Sequence, residues 1–280
     1  MSAMVLSKHR HDFLRARCPV AIACIVIAGL PIAAQSANEA PQSRGAYLAA
    51  AADCASCHTA GPKAQPFAGG LSLNSPFGKI YSSNITPDPV AGIGDYSFED
   101  FSRALRKGIA KDGKRLYPAM PYPSFSGISD EDMHALYDYF MHEVKPVPIA
   151  APKTDLPFPF NQRWLIRFWD MAFSKQKPYK PRPDRTAEWN RGAYLVQTLG
   201  HCGACHTPRG FAFQVKGYSE DSPTFLKGAV VDNWFAANLR DNYASGLRRW
   251  SKDDIVEFLQ TGHGAQSAAF GSMTLVIENS

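Results

Sequence analysis

The chain has 280 residues, 45% of them apolar, enough for one large domain or two ordinary ones with cores of their own. Its formal net charge of +5 is concentrated at the start: without residues 1–37 the balance is 26 basic against 24 acidic side chains. No basic patch interleaved with aromatics is left to hold a phosphate backbone, so nucleic acid is excluded as a partner.

At the N-terminus, Lys8, Arg10, Arg15 and Arg17 precede an apolar run from Cys18 to Ala34, and the small-residue stretch "AAQSANEA" follows. That is the order of an export signal, here residues 1–37, with cleavage between Ala34 and Asn38. An uncleaved membrane anchor is the alternative, although 17 residues interrupted by Pro19 and Pro31 are marginal for a span. In either case the body of the protein is expected outside the cytoplasm.

Cys18 and Cys24 belong to that segment, and the other four cysteines form two pairs, "CASCH" (Cys54, Cys57, His58) and "CGACH" (Cys202, Cys205, His206). Residues spaced i, i+3 and i+4 share one face of a helix, so both sulfurs and the imidazole point the same way. This is the attachment spacing of c-type haem: the thiols add to the vinyl groups of one porphyrin and the histidine takes the iron. Three other readings compete. A structural zinc needs four ligands, which would have to join the two distant pairs. A thioredoxin-like redox pair needs a βαβ context that the sequence lacks. A plain disulfide suits the compartment but leaves both histidines without a role.

The first copy of a duplication occupies residues 38–143. Its "RGAYLAAAADCASCHT" (44–59) matches "RGAYLVQTLGHCGACHT" (191–207) with one residue inserted, and Asn84–Gly108 aligns without gaps on Asn238–Gly262. A first helix is expected through "RGAYL" into the attachment motif. The Gly/Pro-rich stretch after it reads as loop. A second helix opens at Ser97, with Asp100 three residues on, and carries Phe98, Phe101, Leu105 and Ile109. Ser129 and Asp132 cap a third, with Met133, Leu136, Tyr137 and Phe140.

Residues 144–186 carry eight prolines and read as a semi-rigid linker. Within it "RWLIRFWDMAF" places Trp164, Leu165, Phe168, Trp169, Ala172 and Phe173 on one helical face, either packed across the two copies or presented to a partner or membrane. The second copy, residues 187–280, repeats the second helix from Ser251 with Asp254.

Iron held by a histidine takes a ligand opposite, and methionine there raises the potential. Copy two offers Met273, and extending the repeat with a one-residue deletion sets Met120 against it. Both are expected in loops, Met120 within "YPAMPYP", whereas Met133 and Met141 read as packing residues. His134, His142, His201 and His263 are the rival ligands.

With these residues in view, the chain resembles the multihaem cytochrome c subunit of bacterial membrane-bound alcohol and gluconate (sugar or sugar-acid) dehydrogenase complexes. The likeness runs from about Arg44 to the last residue through "YSSNITPD", "GIGDYSFEDF", "LYPAMPYPSF", "SDEDMHALYDYFMHEV" and "LGHCGACHTPRGF". It implies an all-α, loop-rich fold of two tandem cytochrome c-like domains. It also implies two covalent haem c groups on Cys54, Cys57, Cys202 and Cys205, with His58 and His206 as proximal and Met120 and Met273 as distal ligands. By that likeness a flavin- or quinoprotein dehydrogenase subunit oxidises the alcohol, sugar or sugar acid. Electrons then pass through the haems toward membrane ubiquinone, and the chain has no catalytic residues of its own. The family carries a third haem domain and a C-terminal membrane-attaching segment. The second domain here is therefore expected to be incomplete: its third helix would begin near position 282, and the residues around Met273 should fray. The competing function is a free-standing dihaem enzyme, a small-sulfur-compound oxidase or a peroxidase, which would want an open iron at one haem.

Overall fold

The computed structural model describes residues 42–174, 177–231 and 233–280. The export signal read in residues 1–37 lies outside them, and the described residues fall in one compact unit.

Helix α1 (Arg44–Ala51) begins where Ser43 Oγ accepts the N–H of Ala46. Instead of continuing into the motif it stops, because Asp53 takes a left-handed conformation (φ 56°) and α2 (Cys54–His58) starts afresh. Aspartate is one of the few side chains that enters this region readily. The second copy has the same break at His201 (φ 36°), between α7 (Ala187–Tyr194) and α8 (Gly203–His206). Its inserted residue is taken up by a wide turn over Leu195–Leu199, in which the Gly200 N–H reaches the Leu195 carbonyl five residues back at 2.7 Å.

The all-α expectation needs correcting. Strands β1 (Ser72–Ser75) and β2 (Gly78–Tyr81) pair antiparallel, as do β3 (Ala229–Val231) and β4 (Trp234–Ala236). Strands this short leave almost no alternation in a sequence, so the Gly/Pro-rich stretch reads as loop. The capped helices form as expected. In α3 (Phe98–Lys107) and α9 (Lys252–Thr261) the Ser97/Asp100 and Ser251/Asp254 capping boxes are both closed, and Gly108 (φ 62°) and Gly262 (φ 73°) end the helices left-handed. After the short α4 (Tyr122–Phe125) comes α5 (Asp130–Asp138), capped by Ser129 and prolonged by a wide turn over Tyr139–Glu143.

Helix α5 crosses α1 over Gly45. A methyl group there would stand 2.2 Å from the Ala135 carbonyl oxygen and 2.4 Å from the Tyr139 Cβ, so only glycine permits the approach. The equivalent Gly192 on α7 has no atom within 4 Å of that position. Gly45→Ala is therefore expected to lose about 1–3 kcal/mol through overpacking, while Gly192→Ala gains up to ~1 kcal/mol of helix propensity. Denaturant midpoints of the two variants should move in opposite directions. The core beneath α5 joins Leu48, Phe101, Phe125, Met133, Leu136 and Phe140 to Tyr194 and Leu199 of copy two, so the two halves share it.

The connector's apolar face is rotated from its expected position. A single 3₁₀ turn (Arg163–Leu165) precedes α6 (Ile166–Phe173), and Trp164 and Phe168 lie together on the outer side, 61% and 57% exposed. The packed side is Ile166, Trp169 and Phe173: Trp169 Nε1 donates to the Ala212 carbonyl at 2.8 Å, and Phe173 meets Phe211 edge-on. Between them Asp170 accepts the Tyr122 hydroxyl at 2.7 Å and Arg115 Nη1 at 2.6 Å. One helix is thus fastened to both halves.

Fraying near Met273 is likewise not observed. Residues Ser272–Asn279 form α10, which lies on α2, where the Ser56 hydroxyl donates to the Leu275 carbonyl at 2.8 Å. Ile277 of α10 packs over Gly262. Among the described residues no helix is long and apolar enough to cross a membrane.

Candidate haem sites

Each CxxCH stretch is one turn of helix, α2 in the first copy and α8 with Cys202 at its cap in the second, so both sulfurs and the imidazole are carried together. The orientation of the histidines comes from elsewhere. His58 Nδ1 lies 2.7 Å from the Ser83 carbonyl oxygen, and His206 Nδ1 lies 2.7 Å from that of Ala237. A carbonyl can only accept, so Nδ1 carries the proton and Nε2 keeps its lone pair for a metal. Burial holds both imidazoles below their ordinary pKa, against the opposing effect of the carbonyl bond, so both are neutral, the form that ligates.

Ser83 and Ala237 stand at equivalent repeat positions, each just before an asparagine that braces its loop. Asn84 Oδ1 accepts the Thr86 N–H at 2.8 Å, and Asn238 Oδ1 accepts the Arg240 N–H at 2.9 Å. The other side of each motif is duplicated as well. The carbonyls of His58 and His206 accept from Gly69 and Gly228, both at 2.7 Å. Thr59 Oγ1 accepts the Phe67 N–H and Thr207 Oγ1 that of Leu226, at 3.2 and 3.0 Å. Gly69 is required by close approach, since a Cβ there would lie 2.4 Å from the Ser83 backbone, the segment that holds His58.

The two motifs adjoin. The Ala51 carbonyl lies 3.8 Å from the Cβ position of Gly200, and the buried Asp53 carboxylate acts electrostatically on both Cys54 and Cys202. Burial, the larger effect, pushes the Cys54 thiol up to about 12 and that of Cys202 to about 11. Both are therefore neutral thiols at ordinary pH. No group of three or more His, Cys, Asp or Glu among the described residues is placed to hold a metal, so the two pairs do not converge on one zinc site.

Met120 sits in the turn before α4, half-buried against the core. Met273 is half-buried too, but in the first turn of α10 rather than in a loop. Their register holds through the preceding loop: Leu116 N–H bonds the Gly108 carbonyl and Ala269 N–H that of Gly262, each four residues before the methionine. Of the rival histidines, His134 stacks on Phe98 on the exposed side of α5 and His142 is exposed. His263 is tied to the Thr261 carbonyl at 3.0 Å, and His201 stacks on Phe125. Met133 is wholly buried, as a packing residue should be.

A largely apolar cavity of ≈ 950 Å³ opens between the halves, lined by the β1–β2 turn, Tyr117, Ala119 and Pro121, the connector, and Ala204, Phe211, Phe213 and Tyr218; none of the paired cysteines, their histidines, Met120 or Met273 lines it. The donor set fits covalent haem: paired thiols and a neutral imidazole with Nε2 available, carried on one turn of helix in each copy. Sequence reasoning missed the residues that orient this set, Ser83 and Ala237, because they act through backbone carbonyls. The duplicated Asn84/Asn238 pair, one position on, was the available signal.

The cytochrome c family profile matches residues 42–143. The chain is 49% identical over 266 residues to the gluconate 2-dehydrogenase cytochrome c subunit of Pantoea cypripedii, covering 92% of this chain and 60% of that protein. It is 50% identical over 247 residues to the alcohol dehydrogenase (quinone) cytochrome c subunit of Gluconobacter oxydans, 87% of this chain and 52% of that one. It is also 34% identical over 243 residues to a dihaem cytochrome c-type protein of Cereibacter sphaeroides, 85% of this chain and 79% of that one. The chain belongs to the cytochrome c family. Haem c is bound covalently in that family. The chain spans between 52% and 60% of the length of the first two relatives.

Proposed function

We propose that this cytochrome c is an electron-transfer subunit of a dehydrogenase complex acting on CH–OH donors, with no substrate chemistry of its own. The observation that carries the reading is the twofold occurrence of a tethered histidine, Nδ1 on a carbonyl and Nε2 left to ligate, on a turn bearing two thiols. Bound haem supplies one-electron redox chemistry. Cys54, Cys57, Cys202 and Cys205 would anchor two such groups, and His58, His206, Met120 and Met273 would hold their iron. The halves are two tandem cytochrome c-like units, residues 38–143 and 187–280, bridged by residues 144–186.

The relatives named for gluconate and alcohol oxidation support a flavin- or quinoprotein partner that oxidises an alcohol, sugar or sugar acid. Ubiquinone in the membrane is the acceptor we infer, and the export-type N-terminus supports a periplasmic place at the membrane surface. The test is haem content. Expressed with a c-type maturation system, the protein should keep two haems per chain after denaturation, by mass and haem staining. Changing Cys202→Ser and Cys205→Ser together should halve the haem, and an unchanged content would overturn the assignment.

A further inference from the structure

The duplicated motifs share their thiols and histidine but differ in charge on both flanks. With CASCHT aligned on CGACHT, Asp53 stands against His201 and Gly61 against Arg209. Asp53 and His201 occupy the same left-handed break before each motif, at φ 56° and 36°, so a carboxylate is exchanged for an imidazole on equivalent backbone. Burial keeps the His201 imidazole neutral, against the opposing bond to the Gly200 carbonyl.

Arg209 is fixed against the second motif. Its Nη2 donates to the Ala204 carbonyl at 2.6 Å, inside the CGACH turn, and its Nη1 to the Phe213 carbonyl at 3.0 Å. Phe213 lies in a loop that copy two lengthens: Thr59 Oγ1 bonds a residue 8 positions on, Thr207 Oγ1 one 19 positions on. The tip of that loop is itself pinned. The Ala212 carbonyl accepts Trp169 Nε1 at 2.8 Å, and Phe213 meets Phe77 edge-on at 5.1 Å. Among the described residues both bonds of the guanidinium go to carbonyl oxygens rather than to a carboxylate, so its charge is not cancelled. Tyr218 beside it stays a neutral phenol, pushed up to about 12 by burial. The first motif has glycine at that place and the opposite sign at the other. Lys63, two residues after Gly61, is exposed to solvent. Asp53 directly precedes Cys54, is 8% exposed, acts electrostatically on that thiol and takes its hydrogen bond from the Ser56 hydroxyl.

We propose that these two charges polarise the pair of haem sites: Arg209 raises the reduction potential of the second haem, Asp53 lowers that of the first, and an electron taken up by the first copy passes on to the second. The inference rests on the two-haem reading above. In the transfer the first iron is oxidised from ferrous to ferric and the second reduced from ferric to ferrous, with no proton moved. A fixed cation beside an iron favours its ferrous state, and a fixed anion its ferric state. At an effective dielectric constant of about 20, a unit charge on the order of 12 Å away changes that equilibrium about tenfold. The same ligand types are read in both copies, so axial ligation does not by itself separate the two potentials. The flanking charges do.

The test is a spectroelectrochemical titration of the haem-loaded chain at pH 8 and low salt, with the Cys202→Ser, Cys205→Ser form supplying the step of the first haem alone. Two one-electron steps are expected, the first haem's at the lower potential. Arg209→Gln keeps a donor for the Ala204 carbonyl and removes the charge. It should disfavour reduction of the second haem about tenfold, ~59 mV for a one-electron couple, and leave the first step in place. Arg209→Lys keeps the charge and loses the two-carbonyl fork, so its second step should stay near the native position. Asp53→Asn should raise the first step more than the second. If Arg209→Lys shifts as far as Arg209→Gln, Arg209 is a brace rather than a source of potential, and the proposal is overturned. A second step that does not move in Arg209→Gln, a first step unmoved in Asp53→Asn, or a first haem above the second in the native chain would overturn it as well. A native chain holding one haem would instead overturn the two-haem reading.

Discussion

Asp170→Ala is expected to cost about 3–5 kcal/mol, the range for breaking one side of a buried, hydrogen-bonded charge pair. Its carboxylate is 12% exposed and serves two partners from different parts of the first half, the fully buried Tyr122 and the mostly buried Arg115. Truncation leaves both a phenol and a guanidinium without an acceptor in a site water cannot readily enter. Asp170→Asn separates the contributions. An amide oxygen can still accept the Tyr122 hydroxyl, so that variant should lose roughly half as much, chiefly the interaction with Arg115. The position also links stability to ligation. Tyr122 opens α4 two residues after Met120, and the Met120–Tyr122 turn is closed by a 2.9 Å backbone bond. When Asp170 no longer holds Tyr122, the weak sulfur-to-iron band of the haem-loaded protein should diminish for the first haem while the second keeps its share. A loss of stability below about 1 kcal/mol, within the range of a surface pair, would show that the connector is not anchored here.

That anchor was not legible in the sequence, and the reason is physical. Asp170 sits in a proline-rich connector with no repeat partner, and its two contacts are 48 and 55 residues away. A single carboxylate on an aromatic-rich helix gives no sign of its partners. The connector's buried face was misplaced for a related reason: it is chosen by the bonds of Trp169 and Asp170 to Ala212, Tyr122 and Arg115, partners 43 to 55 residues away. By contrast, the two CxxCH turns could be read directly, because helical spacing alone gathers Cys54, Cys57 and His58, and again Cys202, Cys205 and His206, on one turn. The capped helices were equally readable, since Ser97/Asp100 and Ser251/Asp254 are self-contained within one turn. The hairpins were missed for want of length. Helix α10 was missed because it is held by contacts with α2 and Gly262 rather than by any capping side chain, and Gly271 leads into it at φ 58°. What the repeat did carry was register. It set Met120 against Met273 across a one-residue deletion, and the matching loop bonds from Leu116 and Ala269 have that same offset.

Asp53→Asn should stabilise the protein, and only where the native carboxylate is ionised. Asp53 is 8% exposed between the two attachment motifs, and burial pushes its pKa from 3.8 up to about 6, against the opposing bonds from Ser56 and Ser280. The folded state therefore holds this proton more tightly than the unfolded chain. Below the unfolded value both states keep it and nothing is lost. Between the two values the unfolded chain binds fewer protons than the folded one, so stability falls as pH rises. Above about 6 the loss is constant, on the order of 3 kcal/mol for a shift of about two units. Asparagine has the shape of the neutral acid, enters the left-handed region at least as readily, and can donate to Ser56 Oγ while Ser56 donates to Leu275. At pH 8 the variant should melt roughly 6–12 °C higher, using about 2–4 °C per kcal/mol for a chain of this size. Near pH 3.5 the two proteins should melt together. A melting difference that stays the same from pH 3.5 to pH 8 would assign the effect to packing. A variant less stable at pH 8 would mean that the ionised carboxylate is held there by a favourable partner and that the motifs adjoin around a charge the fold needs.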